Sequence, residues 1–229
     1  MRLLAALALV AASPGTRAQS FCASDGQSRP VQLMERFVNA DCEACWADPA
    51  TPVAGPRTVA LDWVVPGARG DDAPLSAVAT RDALARLQVL KSSLPAGASV
   101  AVHKAKGLPG AVLRVAHGLP VSDYLGASIE LKPVAPAAQQ GLTAWLALVE
   151  TLPAGLEGSP VERNLVRNLF SRTWDGRKQL LKQEQNRLFE ARSMNIAPAA
   201  NPDRLRVIGW VEDEKGQVLV AAESRCATP

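Results

Sequence analysis

Along the chain, apolar positions gather into short blocks separated by turn residues, and most blocks are too short for helices. Residues 31–38 form a stretch that is apolar except at Gln32, Glu35 and Arg36 and ends at the polar turn Asn39-Ala40-Asp41, which predicts a buried strand. Residues 58–65 repeat the pattern, polar only at Thr58 and Asp62, and stop at Pro66-Gly67. Helical spacing of Leu84, Leu87 and Leu90 predicts a helix over 75–90, closed by Pro95-Ala96-Gly97. Beyond Ser99 the texture changes to strand-length blocks at 100–104, 111–116, 128–134, 142–150, 187–196, 204–212 and 217–223. The last two flank Asp213-Glu214-Lys215-Gly216, a hairpin turn with glycine at the position needing positive φ. Residues 161–170 fit two templates. Ser159, Pro160 and Glu162 make a capping box, while Val161, Arg163, Leu165, Arg167 and Leu169 alternate, and the alternation is the reading preferred.

The first residues predict export. Arg2 precedes an apolar run over 3–12, and Thr16-Arg17-Ala18 places small residues at a cleavage site after Ala18. Residues 1–18 are therefore expected to be a signal peptide, followed by a polar lead-in over 19–29, and the mature protein to be periplasmic or secreted without a membrane span. Without Arg2 and Arg17 the 25 basic residues fall to 23 against 22 acidic ones, a near-neutral balance that argues against nucleic acid as a partner. There is no Gly-x-Ser-x-Gly elbow and no His-Glu-x-x-His helix, so the common hydrolase signatures are missing, and Asp71-Asp72 is explained as a solvated loop pair.

Four cysteines in a chain expected to be exported allow three disulfide connectivities. The preferred pairing joins Cys22 to Cys226, near the two ends of the mature chain, as a structural staple, and Cys42 to Cys45 locally. Cys42-Glu43-Ala44-Cys45 after a buried strand suggests a thioredoxin-like element, with Cys42 attacking and Cys45 resolving. Asp41 and Glu43 beside it disfavour a thiolate, and Arg36 offsets them only if the fold brings it round. A permanent disulfide pinning the turn is the competing reading, and Cu(I) held by the pair a further one. His103 is expected to face solvent and His117 to cap a strand end beside Gly118. Trp145 and Trp210 are expected in the core, Trp46 beside the cysteine site, and the run Arg163, Arg167, Arg172, Arg177, Lys178 and Lys182 on a solvated face. No cofactor is expected.

The segment Glu35-Arg36-Phe37-Val38-Asn39-Ala40-Asp41-Cys42-Glu43-Ala44-Cys45 resembles the opening motif of an uncharacterised family of bacterial secreted proteins. That motif runs Glu-Leu-Phe-Thr-Ser, two residues, then Cys-x-x-Cys, and Glu35, Phe37, Cys42 and Cys45 keep their places. Asp62-Trp63, Asn164-Leu165-Val166-Arg167 and Trp174-Asp175-Gly176 are similar to later parts of the same family. The resemblance implies a thioredoxin-like domain followed by a β-rich one. The chain departs from it between Cys45 and Thr58, where Pro49, Pro52, Gly55 and Pro56 leave room for only a turn or two of helix, and it has no clear Thr-Pro opening the third strand. The expected fold is thus α+β: a truncated thioredoxin-like α/β domain over 30–95 and an antiparallel immunoglobulin-like sandwich over 97–226. The expected function is thiol–disulfide exchange at Cys42 and Cys45, flanked by Glu35, Phe37 and Trp46, on an unidentified thiol substrate or protein partner. The alternative is a noncatalytic envelope module with structural disulfides.

Overall fold

The computed structural model describes residues 22–132, 141–174 and 187–226. The predicted signal peptide, the Ala/Pro-rich stretch 133–138, Asp175-Gly176 and the basic residues Arg177, Lys178 and Lys182 lie outside them. In chain order the strands begin with β1 (Cys22–Ala23), β2 (Gln32–Asn39), β3 (Thr58–Val65) and β4 (Ala98–Lys104). They continue with β5 (Val112–Val121), β6 (Tyr124–Lys132), β7 (Leu142–Leu152) and β8 (Arg163–Trp174). The last four are β9 (Leu188–Asn195), β10 (Leu205–Glu212), β11 (Val218–Glu223) and β12 (Arg225–Cys226).

These strands make two sheets. One has the order β11-β10-β7-β8-β3-β2-β4, the other β12-β1-β5-β6-β9. In the larger sheet β2 and β3 run parallel from Gln32↔Thr58 to Asn39↔Val65, and β4 lies antiparallel along the other edge of β2. The parallel pairing of β3 with β8 at Asp62↔Leu165 joins this trio to the antiparallel strands β7, β10 and β11.

The expected thioredoxin-like α/β half beside an immunoglobulin-like sandwich is overturned by this arrangement. Among the described residues α-helix is confined to α1 (Glu43–Trp46) and α2 (Arg81–Val89), and the protein is mostly β. The prolines between β2 and β3 leave the crossover as loop after the single turn of α1, because proline lacks the N–H and the freedom in φ that a helix interior needs. Instead of forming a separate layered unit, β2, β3 and β4 extend a sheet shared with the C-terminal strands. The 161–170 segment is the strand that makes the join, as its alternation predicted.

Helix α2 is shorter than its periodicity implied. Thr80 is extended (φ −127°, ψ 146°) and its hydroxyl accepts from the Ala83 N–H at 3.2 Å, so it caps a helix that cannot continue backwards. The residues before it form short 3₁₀ turns at Gly70–Asp72 and Ser76–Val78. Each face of the larger sheet is covered. Leu146, Leu148, Val207 and Val211 meet Val115, Leu125, Ile129 and Leu131 of the smaller sheet in one core. On the opposite face Ala83 and Leu87 of α2 pack with Leu33, Phe37, Leu61, Trp63 and Trp210. A smaller cluster of Ala40, Trp46, Val64, Leu152 and Leu165 sits beneath the cysteine loop.

Candidate functional site

The cysteine loop begins where β2 runs out of partners. The Asn39 N–H donates to the Gly97 carbonyl at 2.7 Å, and its side-chain Nδ2 donates to the Pro95 carbonyl at 2.9 Å. These bonds lay the 95–97 segment alongside the strand end. The chain then turns, with the Cys42 N–H donating to the Asn39 carbonyl at 2.9 Å. Cys42 caps α1, its Sγ accepting from the Cys45 N–H at 3.2 Å, and the two cysteines form a disulfide with Cα atoms 5.3 Å apart. Both are half-buried. Gly97 lies against them: a Cβ there would stand 2.8 Å from Cys45 Sγ. The absence of a side chain is therefore a steric requirement at this close approach.

The acids flanking the pair behave differently from one another. Glu43 is exposed, whereas the Asp41 carboxylate accepts from the main-chain N–H groups of Ala68 at 2.7 Å and Arg69 at 3.2 Å. Asp41 thus holds the 66–70 loop rather than facing the sulfurs freely. Gly67 makes that clasp possible, since a Cβ there would come within 2.3 Å of the Asp41 carboxyl.

Below the loop lies a buried polar assembly. Asp62 on β3 receives Arg36 Nη2 of β2 at 2.7 Å and Arg163 Nη1 of β8 at 3.0 Å, and also accepts from the Asn164 N–H at 2.8 Å. All three charged groups are almost fully excluded from solvent. Both guanidinium groups reach onward into the cysteine loop. Arg36 Nη1 donates to the Pro52 carbonyl at 2.9 Å, while Arg163 Nη2 donates to the Trp46 carbonyl at 2.9 Å and to Thr51 Oγ1 at 3.2 Å. Arg163 also stacks over the Trp46 ring, 4.7 Å from its centroid, and Trp46 Nε1 donates to the Glu157 carbonyl at 2.9 Å. Two cations share one carboxylate here, and loop carbonyls and hydroxyls supply further acceptors, while Arg36 Nε is buried without one.

Glu35, next in the chain, points to the other face of the sheet. It takes a bidentate contact from Arg86 of α2 at 2.8 Å, and Arg86 Nη2 also donates to Glu212 at 2.7 Å. The indole N–H groups of Trp145 and Trp210 donate to Glu212 at 2.9 and 3.0 Å, and the Arg86 guanidinium lies over both rings. Burial by itself pushes the Glu35 carboxyl up, but Arg86 and the neighbouring His103 outweigh it and hold the group below the ordinary carboxylate range. Phe37, on the same face, stacks on Trp63 with ring centroids 5.9 Å apart.

The sequence-predicted site residues therefore divide. Trp46 adjoins the cysteine pair as expected, but as a buried ring under Arg163. Glu35 and Phe37, although in the same motif, serve the core beneath α2. Arg36 does come round towards the loop, yet it is spent on Asp62, Pro52 and the Glu162 carbonyl. His103 is half-buried with Nε2 3.1 Å from Glu35, not free in solvent. Arg163 and Arg167 are buried in ion pairs with Asp62 and Glu150, not on a solvated face, while Arg172 is exposed near Glu190. Cys22 and Cys226 are disulfide-bonded across a separation of 204 residues. Sequence reasoning missed Asp62, Arg163 and Gly97; the only signal was a lone acid in an apolar strand and an arginine on an alternating face.

No family model matches this chain, and no curated protein matches it. In fold it is similar to HBP35 of Porphyromonas gingivalis, with a TM-score of 0.53 over 89% of this chain and 81% of that one, at 12% sequence identity. At that identity the likeness concerns the fold alone. Two disulfides, and no helix among the described residues long and apolar enough to cross a membrane, are compatible with a secreted or periplasmic protein.

Proposed function

We propose that the protein performs thiol–disulfide exchange at Cys42 and Cys45 in an oxidising compartment outside the cytoplasm. The observation that carries this reading is a half-exposed disulfide on a loop that Arg36 and Arg163, anchored on Asp62, also hold through the Pro52 and Trp46 carbonyls and the Thr51 hydroxyl. A bridge closing four residues contributes only about 2 kcal/mol in the chain-entropy model. With the loop clamped from below, opening and closing the bond costs little structure. The Cys45 N–H aimed at Cys42 Sγ favours the charged form of Cys42 once the bond is reduced.

In the exchange the Cys42 thiolate attacks a substrate disulfide, forming a mixed disulfide and expelling one substrate sulfur as thiolate. Cys45, losing its proton, then attacks Cys42 Sγ, releases the second substrate thiol and restores Cys42–Cys45. Two electrons pass from the protein dithiol to the substrate. Equilibration in glutathione buffers with thiol trapping tests the reading. A reduction potential between about −120 and −270 mV supports it, and one below about −300 mV marks the bond as structural and removes it.

A further inference from the structure

The smaller sheet sets three soft ligand groups side by side away from the Cys42–Cys45 loop. Cys22 of β1 lies directly opposite Cys226 of β12 on one side and His117 of β5 on the other. Cross-strand partners point to the same face, and the two sulfurs and a ring nitrogen of His117 all lie within 4.8 Å of one another. His117 does not end its strand, as its place beside Gly118 had suggested, but sits inside β5, only 4% exposed. Its Nδ1 is 2.9 Å from the Gly118 carbonyl, an acceptor, so Nδ1 carries the proton and Nε2 is left with a lone pair. That Nε2 is buried and has no hydrogen-bond partner. An imidazole oriented through one nitrogen by a main-chain carbonyl, with the other unshared, is the arrangement metal-ligating histidines adopt.

We propose that reduction of Cys22–Cys226 opens a three-ligand site, Cys22, Cys226 and His117, for a soft monovalent cation, Cu(I). Two thiolates and one imidazole suit that ion, whereas a closed zinc site needs a fourth ligand that the cluster lacks. Metal–ligand bonds of about 2.0 to 2.3 Å set donor atoms up to about 4.6 Å apart; the imidazole nitrogen already lies within 4.8 Å of both sulfurs, which must part from their bonded distance on reduction. Cys226 is exposed, so reductant and ion reach the cluster from the sheet edge. A dithiol reductant supplies two electrons and two protons, opening the protein bond to two thiols while its own sulfurs close to a disulfide. Cu(I) then displaces both thiol protons to solvent and replaces the lost cross-link between β1 and β12.

The test uses the full chain carrying Cys42→Ser and Cys45→Ser, reduced with dithiothreitol, desalted without oxygen and titrated with Cu(I) against bicinchoninate. One equivalent is expected to bind, with affinity at least about tenfold weaker after His117→Ala, and none after Cys22→Ser with Cys226→Ser. No binding by the parent variant, or equal affinity without His117, overturns the site. X-ray absorption of the copper-loaded parent, which needs no change at His117, is expected to show two sulfurs and one imidazole; sulfur ligands alone also overturn it.

Discussion

Asp62 stands between two buried guanidinium groups, with Arg36 Nη2 at 2.7 Å and Arg163 Nη1 at 3.0 Å. Removing one partner of a buried ion pair leaves an uncompensated charge away from water, which costs about 3 to 5 kcal/mol. Asp62→Ala is accordingly expected to lose about that much stability in urea unfolding; a loss under about 1 kcal/mol would mean that loop carbonyls alone can hold both arginines. Titration at two further residues has a definite sign. The folded-state pKa of Glu35 is lowered, so its contribution is present above the unfolded value of about 4.3 and disappears as pH falls through the lower folded value. The pKa of His117 is lowered by burial, against the opposing pull of the Gly118 carbonyl, so its contribution is present above about 6.5 and shrinks as pH falls below that. Urea midpoints should therefore decline from pH 7 to pH 5, and His117→Leu should flatten this part of the profile. An unchanged slope in that variant would place the titrating group elsewhere. None of these environments was visible as such in the chain. A lone Asp62 in an apolar strand signals a partner, but Arg163 lies 101 residues away and only the sheet brings it there.

At the level of elements, the close approach of strands matters as much as their apolar pattern. Gly209 on β10 faces the smaller sheet so closely that a Cβ would come 2.5 Å from Val115 Cγ1 and 2.9 Å from Ile129 Cδ1. Gly209→Ala should force these side chains aside and cost about 1 to 3 kcal/mol by overpacking, read as a lowered thermal midpoint; an unaltered midpoint would show that the two sheets can separate freely here. Gly97→Ala carries a related prediction for the cysteine loop. Its Cβ would meet Cys45 Sγ at 2.8 Å, so the substitution should shift the Cys42–Cys45 equilibrium towards the dithiol, detectable by thiol trapping at a fixed glutathione ratio. The positions of β2, β3, β7, β10 and β11 were legible because strand periodicity and turn residues are local properties. The start of α2 was not, since the helical spacing extended over a segment that the extended backbone of Thr80 breaks.

For the whole molecule the two disulfides have different weights. Cys22–Cys226 closes a loop of sequence separation 204, and Cys42–Cys45 one of separation 3. In the chain-entropy model these correspond to about 5 and about 2 kcal/mol. Replacing Cys22 and Cys226 by serine should destabilise the protein by the larger amount, and replacing Cys42 and Cys45 by the smaller, measured side by side in guanidinium. The reverse order would make the short bridge the structural one. The preferred connectivity was correct because an even cysteine count and the nearness of chain ends constrain pairing even without coordinates. The separation into an α/β half and a sandwich was not, because periodicity says whether a segment is a strand but not which strand it will lie beside. What the chain alone determined here is local: strand blocks, turn glycines and the Cys42–Cys45 pair, set by conformational preference and short-range spacing. Only the tertiary structure decided that β3 pairs with β8, that Asp62 collects Arg36 and Arg163 under the cysteine loop, and that His117 faces Cys22 and Cys226. Those contacts join residues far apart in sequence, and their free energy exists only once both sheets have closed on a common core.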